Sequence, residues 1–212
     1  MEDAPRHQCL IYAGAPSQYL EDLAAVIIGK LKAKNRCLYL NAPPMVAGIR
    51  SYLAAAGLDV GGAVARGALV LSSEQTHLAG GRFVPERLLQ LLEEGVKRAL
   101  CDGYSGLWAT GDMAWEFGSN REFSKLLEYE WGLEDLFKKY SALSGVCQYH
   151  IDTLPEQAVR DGWYAHRGVY LNHTLSRLNP SYTGQRCRPQ GPELSLEALK
   201  SELTERGEPI DS

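Results

Sequence analysis

The chain of 212 residues lacks several features that would settle its class at once. No run of Lys and Arg exceeds two residues, so the broad positive footprint of a nucleic-acid-binding surface is missing. No apolar stretch approaches the ~20 residues needed to cross a bilayer. The opening residues, MEDAPRHQ, carry acids and no apolar core, which argues against a secretory signal and for a cytoplasmic protein. Cysteine occurs five times, at Cys9, Cys37, Cys101, Cys147 and Cys187. The odd count without a Cys-x-x-Cys pair argues against a disulfide framework and for a reducing compartment. Also absent is a Gly-rich loop closed by Lys-Ser or Lys-Thr, the usual cradle for phosphate.

What is present has the composition of an ordinary globular protein, 45% hydrophobic and 23% charged with net charge −4, long enough for one domain with a sizeable core. Short apolar runs alternate with helical patterns. CLIYA (9–13), RCLYLNA (36–42), ALVLSS (68–73), GLWATGD (106–112), LSGVCQYHI (143–151) and GVYLN (168–172) read as strands, the last of them closing the set. Leu20, Leu23, Ala24, Ile27 and Leu31 recur at helical spacing. Further helices are expected near 44–57 with Gly57 as a stop, from Pro85 to about Leu100, from Arg121 to Tyr140, and near 155–161. This rhythm of βαβ units predicts an α/β fold of three layers, a mostly parallel sheet with helices on both faces. Ligands in such sheets bind beyond the carboxyl ends of the strands. After Tyr182 the texture changes. TGQRCRPQGPE reads as a linker, and Leu196, Leu199 and Leu203 form a stripe on a short tail helix that ends at Gly207. The expected division is a domain over 1–182 and a linker with a C-terminal helix over 183–212. The tail either docks on its own chain, binds a partner, or frays.

The first turn, GAPSQYLED, follows the first strand, where nucleotide-binding folds place their phosphate loop. Gly14 is its only glycine and Pro16 removes a donor. Ser17 is expected to cap the helix, and Glu21 and Asp22 occupy the first helical turn, where they favour the helix dipole and repel phosphate. In HQCLIY, His7 and Cys9 share one face of a strand and offer two ligands of the kind zinc takes. Cys147, His150 and His166 are further candidates by type, but no second close pair completes a set, and an unpaired Cys is usually a small buried apolar residue. The expectation is therefore no metal and no cofactor. In GDMAWEFG, Asp112 follows a strand directly, and Met113, Trp115 and Phe117 are either core or the wall of an apolar pocket. On the long helix, Leu126, Leu133 and Phe137 form a stripe that includes Glu130. A carboxylate there requires a partner, such as an Arg, a Tyr hydroxyl or a ligand. Gly132 beside it suggests close helix packing. In VCQYH, Cys147 and Tyr149 share one strand face. Nothing in their context supports thiol catalysis.

HQCLIY, RCLYLN, GRFVPERLL after His77, GDMAW, LEYE, VCQYH and the late His166, in this order, resemble the MEDS domain, a sensory domain named for methanogen and methylotroph proteins. The resemblance covers about Gln8 to Tyr182. It implies a sensor of small molecules, with hydrocarbon derivatives as the proposed ligands, and a RecA-like fold, similar to the circadian-clock ATPases, whose phosphate loop is degraded. Carried over by position, the family-like residues are His7, Cys9, Tyr12, Asp112, Trp115, Tyr129, Glu130, Cys147 and Tyr149. Asp112 stands where the family usually has Glu. Relatives often carry a DNA-binding or kinase module, and none follows Tyr182 here, so output is expected through a partner protein or the tail.

The reading is a non-enzymatic, homo-oligomeric signalling module. Its expected ligand-binding residues are His7, Cys9, Tyr12, Ser17, Asp112, Met113, Trp115, Tyr129, Glu130, Cys147 and Tyr149. The ligand is placed at the carboxyl edge of the sheet, walled by Tyr12, Met113 and Trp115 and anchored by Glu130. Two other readings are an ATPase relative that holds nucleotide with Lys30, Lys32 or Arg82, and an inert assembly scaffold.

Overall fold

The computed structural model describes residues 5–119, 123–172, 175–179, 181, 182, 184, 195, 197–199 and 201. Its elements in chain order are β1 (His7–Tyr12), α1 (Leu20–Lys32), β2 (Asn35–Leu40), α2 (Pro43–Ala55), α3 (Val60–Ala65), β3 (Leu69–Ser72), β4 (Leu78–Ala79), β5 (Arg82–Phe83), α4 (Pro85–Cys101), β6 (Gly106–Asp112), α5 (Met113–Glu116), α6 (Leu126–Lys139), β7 (Leu143–His150), α7 (Glu156–Ala165), β8 (Gly168–Asn172) and β9 (Leu175–Leu178). A seven-stranded sheet runs β3-β2-β6-β7-β1-β8-β9. Each neighbouring pair is parallel except β8 and β9. The α/β class with helices on both faces is as the alternation of elements predicts.

The chain moves from β1 to β2 and β3 in one direction, then returns through β6 and β7 to β8. Right-handed crossovers therefore put α1–α3 on one face and α4, α6 and α7 on the other. Two separate cores result. Leu10, Tyr12, Cys37, Tyr39, Trp108 and Val146 pack with α1–α3. Cys9, Ile11, Leu38, Leu40, Leu107, Cys147 and Tyr149 pack with α4, α6 and α7. Strand residues thus alternate between faces although the runs read as continuously apolar, because both faces are covered.

α4 forms because Leu88, Leu92, Val96 and Ala99 recur on one side and all are buried, with Pro85 in its first turn. On α6 the stripe Leu126, Glu130, Leu133 and Phe137 is buried as the spacing requires. A Cβ on Gly132 would meet Leu89 Cδ1 at 2.5 Å, so the glycine admits α4 to close contact with α6.

Several expectations need correction. Ser17 does not cap α1. It lies exposed within a single 3-10 turn, Pro16–Tyr19, and α1 starts at Leu20 without a side-chain cap. The long helix starts at Leu126, preceded by a 3-10 turn at Phe123–Lys125, and residues 121–122 lie outside the described residues. α7 extends to Ala165, because Val159, Trp163 and Ala165 all bury against the sheet. GVYLN is not the last strand, since β9 pairs with it. α3 was hidden by its two glycines and is fixed by Asp59, whose carboxylate accepts the Gly62 N–H at 2.9 Å. Of the tail stripe, Leu196 and Leu203 lie outside the described residues, as do Gly207 and most of 183–193. Leu199 is fully buried in the core beneath α4, α6 and α7.

Candidate functional site

The α6/α7 face of the sheet carries a knot of polar side chains within apolar surroundings. Odd-numbered β1 residues face it, which brings in His7 and Cys9. Cys147 and Tyr149 arrive from β7, in register with Cys9 and Ile11. α6 supplies Glu130 and Glu134, one turn apart, and the residue after α7 is His166. His7 Nδ1 donates to Glu134 Oε2 at 3.1 Å, since a carboxylate can only accept. Its Nε2 lies 3.4 Å from Glu130 Oε2 and 3.7 Å from Cys147 Sγ. His166 Nδ1 donates to the Gly162 carbonyl at 2.6 Å, and its Nε2 faces Glu130 Oε2 at 3.4 Å. The Tyr149 hydroxyl donates to the other Glu130 oxygen. Glu134 is held further by the Tyr182 hydroxyl at 3.1 Å. The His7 ring lies between Phe137, stacked at 4.6 Å, and His166 at 4.1 Å. The partner that a buried Glu130 requires is thus found in Tyr149 and two histidines.

Burial opposes charge on His7, but Glu130 and Glu134 together raise its pKa above the usual histidine value. Burial also penalises Glu134, but the hydrogen bond and charge of His7, with Lys138 and Tyr182, together outweigh it and hold the carboxyl at about 2. Burial, with His7 alongside, pushes His166 down to about 4. Glu130 is raised by burial and lowered by His166, His7 and Tyr149, with a net fall. His7, which is raised, and Glu130, which is lowered, favour each other's charged forms. Burial raises the thiols of Cys9 and Cys147, and the nearby carboxylates add to the effect. Nearby, Glu116 is raised well above the carboxylate range by burial and by Glu130 and Asp112, with Tyr129 hydrogen-bonded to it.

The residues singled out in the sequence fall into separate places. His7, Cys9, Glu130, Cys147 and Tyr149 lie together on the α6/α7 face, with Tyr129 adjacent. Tyr12 turns to the opposite core, and its hydroxyl donates to Asp112 Oδ2 at 3.4 Å at the carboxyl edge. Asp112 spends its other oxygen on the Trp115 N–H at 2.8 Å, capping α5. Met113 is fully buried, Trp115 is half-buried beside His77, and Ser17 is exposed. Tyr12 and Glu130 therefore lie on opposite faces of the sheet. Glu134 was missed, although its place four residues after Glu130 was a signal. His166 was noticed by type only, and nothing local in the sequence places it against Glu130.

In the first loop the backbone of Gly14 is bonded within the chain. Gly14 adopts φ +81°, and its N–H, which a phosphate would need, donates to Asp152 Oδ2 at 2.8 Å. Its carbonyl accepts from His150 Nε2 at 2.8 Å.

A cleft of about 490 Å³ opens along β2 and β3 beside α4. Leu38, Leu40, Val70, Leu88, Leu91 and Leu107 give it an apolar floor, and His77, Arg36, Arg87 and Glu74 stand at its margin. Leu40 also lines a small interior cavity of about 30 Å³ that reaches Glu116, Tyr129 and Cys147.

The class of protein is thus a mostly parallel α/β domain with polar groups buried under one helical layer and an aspartate bonded to its first loop. The chain belongs to the MEDS family, the methanogen/methylotroph DcmR sensory domain, which matches residues 6–167. No curated protein matches the chain. MEDS is a family of sensory domains, and among the described residues no helix is long and apolar enough to cross a membrane.

Proposed function

We propose that the chain is a non-catalytic sensory module that binds a small, weakly polar organic molecule, such as a hydrocarbon derivative, in the cleft between α4 and the β2–β3 edge, and passes the signal to a partner protein. The observation that carries this is the cleft itself. Its volume falls within the range of ligand pockets, and its leucine and valine floor offers apolar contact beneath a polar rim that includes Arg36, Glu74, Arg87, Glu94 and Arg98. The interior cavity that shares Leu40 with the cleft leads towards Tyr129 and Cys147, both marked by the sequence. A bound molecule would reach the buried polar cluster by this route. On this reading the fold is RecA-like with a degraded phosphate loop, supported by the loop's position after β1 and by Asp152 on its Gly14 N–H. The module works in the cytoplasm, without a cofactor for catalysis, as a homo-oligomer that regulates transcription through its partner.

The test is thermal denaturation against a panel of short-chain alcohols, aldehydes and haloalkanes. At least one should raise Tm saturably, and Leu91→Trp, which fills the cleft, should remove the rise. A panel without effect, or a rise that survives Leu91→Trp, would reject the cleft as the sensory site.

A further inference from the structure

We infer that His7, Glu130, Cys147 and His166 form a four-ligand site for a zinc-class divalent cation. One donor atom from each lies within 4.8 Å of the others, and all four residues are buried. Three of these separations match the edges of a coordination tetrahedron. At metal–ligand distances near 2.0–2.3 Å, a tetrahedron has edges of roughly 3.3–3.7 Å. His7 Nε2 to Glu130 Oε2 is 3.4 Å, Glu130 Oε2 to His166 Nε2 is 3.4 Å, and His7 Nε2 to Cys147 Sγ is 3.7 Å.

A second observation points to a cation independently of spacing. His166 Nε2 is a buried side-chain atom without a hydrogen-bond partner, a situation that folded proteins avoid unless something else satisfies it, and the carboxylate oxygen it faces, Glu130 Oε2, is met otherwise by His7 Nε2 at 3.4 Å. The tautomer sharpens the point. His166 Nδ1 must carry the proton it gives to the Gly162 carbonyl, so Nε2 presents a lone pair to a carboxylate lone pair. Two acceptors held face to face at this distance repel, and a metal ion between them converts the repulsion into two bonds.

The surrounding shell is that of a metal centre. Metal-bound histidines give their other ring N–H to a carboxylate or carbonyl, which fixes tautomer and orientation. His7 gives Nδ1–H to Glu134 and His166 gives Nδ1–H to Gly162, while Tyr149 holds the remaining oxygen of Glu130. The charges also balance. A divalent ion, one thiolate, one carboxylate and two neutral imidazoles sum to zero, which suits an apolar interior. Binding releases the Cys147 proton and the extra proton of His7 to solvent, with no redox change. Two nitrogens, one sulfur and one oxygen select zinc over magnesium or calcium. Four protein ligands leave no open position, so the site is structural or sensory rather than hydrolytic. A surface depression of about 230 Å³ lined by Arg6, His7, Glu134 and Lys138 gives a path of entry. The inference is independent of the cleft reading, since the two sites share no residue.

The experiment is metal analysis of the full-length protein, followed by chelation and titration with Zn²⁺ and Co²⁺. The expected result is one zinc per chain and a Co²⁺ form with a thiolate charge-transfer band in the near ultraviolet. Cys147→Ser should abolish that band. Glu134→Gln, which keeps all four ligands and is the safer variant for folding, should weaken binding roughly 10–100-fold. Cys101→Ser, at an exposed thiol, should change neither. The inference is overturned if chelated wild-type protein binds neither ion above the Cys147→Ser level, or if Co²⁺ binds without a thiolate band. It is also overturned if Glu134→Gln binds as tightly as wild type.

Discussion

Gly162→Ala is the most informative single-methyl change in the molecule. Gly162 lies inside α7, where replacing glycine with alanine ordinarily stabilises a helix by about 0.8–1 kcal/mol. Here the new methyl would lie 2.3 Å from two ring carbons of Tyr149 and 2.8 Å from a third. Tyr149 is fully buried and rigid, and its hydroxyl holds Glu130, so the ring cannot swing aside without disturbing the polar cluster. Overpacking of this kind costs about 1–3 kcal/mol, which exceeds or cancels the helix gain. The expected net destabilisation of up to about 2 kcal/mol would lower Tm by roughly 4–8 °C in a chain of this size. Chemical denaturation of Gly162→Ala, Tyr149→Leu and the double variant completes a cycle. In the Tyr149→Leu background the clash is gone, so the same alanine should stabilise. If Gly162→Ala alone raises Tm, or if the two changes are additive, α7 does not lie on Tyr149 as described and the cluster beneath it loses its geometric basis.

Three further outcomes follow from particular contacts. Glu116 has its carboxyl raised by burial, so the folded state favours its protonated form. Its contribution is present below the unfolded value and falls as pH rises through the folded one. Glu116→Gln should therefore gain stability relative to wild type as pH rises above the unfolded carboxylate value, and urea midpoints that stay parallel as pH rises would exclude the effect. Leu199→Ala removes a fully buried side chain from the tail and should cost about 2–5 kcal/mol if the tail folds with the domain. A loss below about 0.5 kcal/mol would mean that the tail is docked only loosely. Calorimetric titration with ATP and Mg²⁺ should give no saturable heat at millimolar nucleotide, because Asp152 already takes the Gly14 N–H. Clear saturation would mean that the loop opens to hold phosphate.

The sheet was legible because its strands are buried on both faces and most are followed by a helix, so runs of five to nine residues could be counted directly. The misses have local causes. VGGAVA carries too many glycines to read as α3, and α7 looks short until Trp163 and Ala165 are seen packing inward. For the polar cluster, the sequence showed one member of each contact and concealed the other. The Leu126–Phe137 stripe made Glu130 conspicuous as a buried acid, and the two-residue spacing placed His7 with Cys9 on one face. His-x-Cys alone looked like half a metal site with no second half. The second half comes from Cys147 and His166, distant in sequence, and only the order β7-β1-β8 brings them beside β1.

That same strand order explains why the carboxyl edge, where ligands of parallel sheets usually bind, is not where the unpaired groups are. At the edge, Gly14, Asp152, His150, Tyr12 and Asp112 bond to one another, and each donor named there has found an acceptor within the chain. Beneath α6 and α7 the opposite holds. His166 Nε2 is buried and without a hydrogen-bond partner, and Glu116 Oε2, also without one, lies where the interior cavity approaches from the open cleft. Leaving such groups unsatisfied costs about 1–3 kcal/mol each, a strain that a fold with a complete edge network has no need to carry unless those groups bind something. The two sites proposed above both lie on that face of the sheet, away from the strand ends.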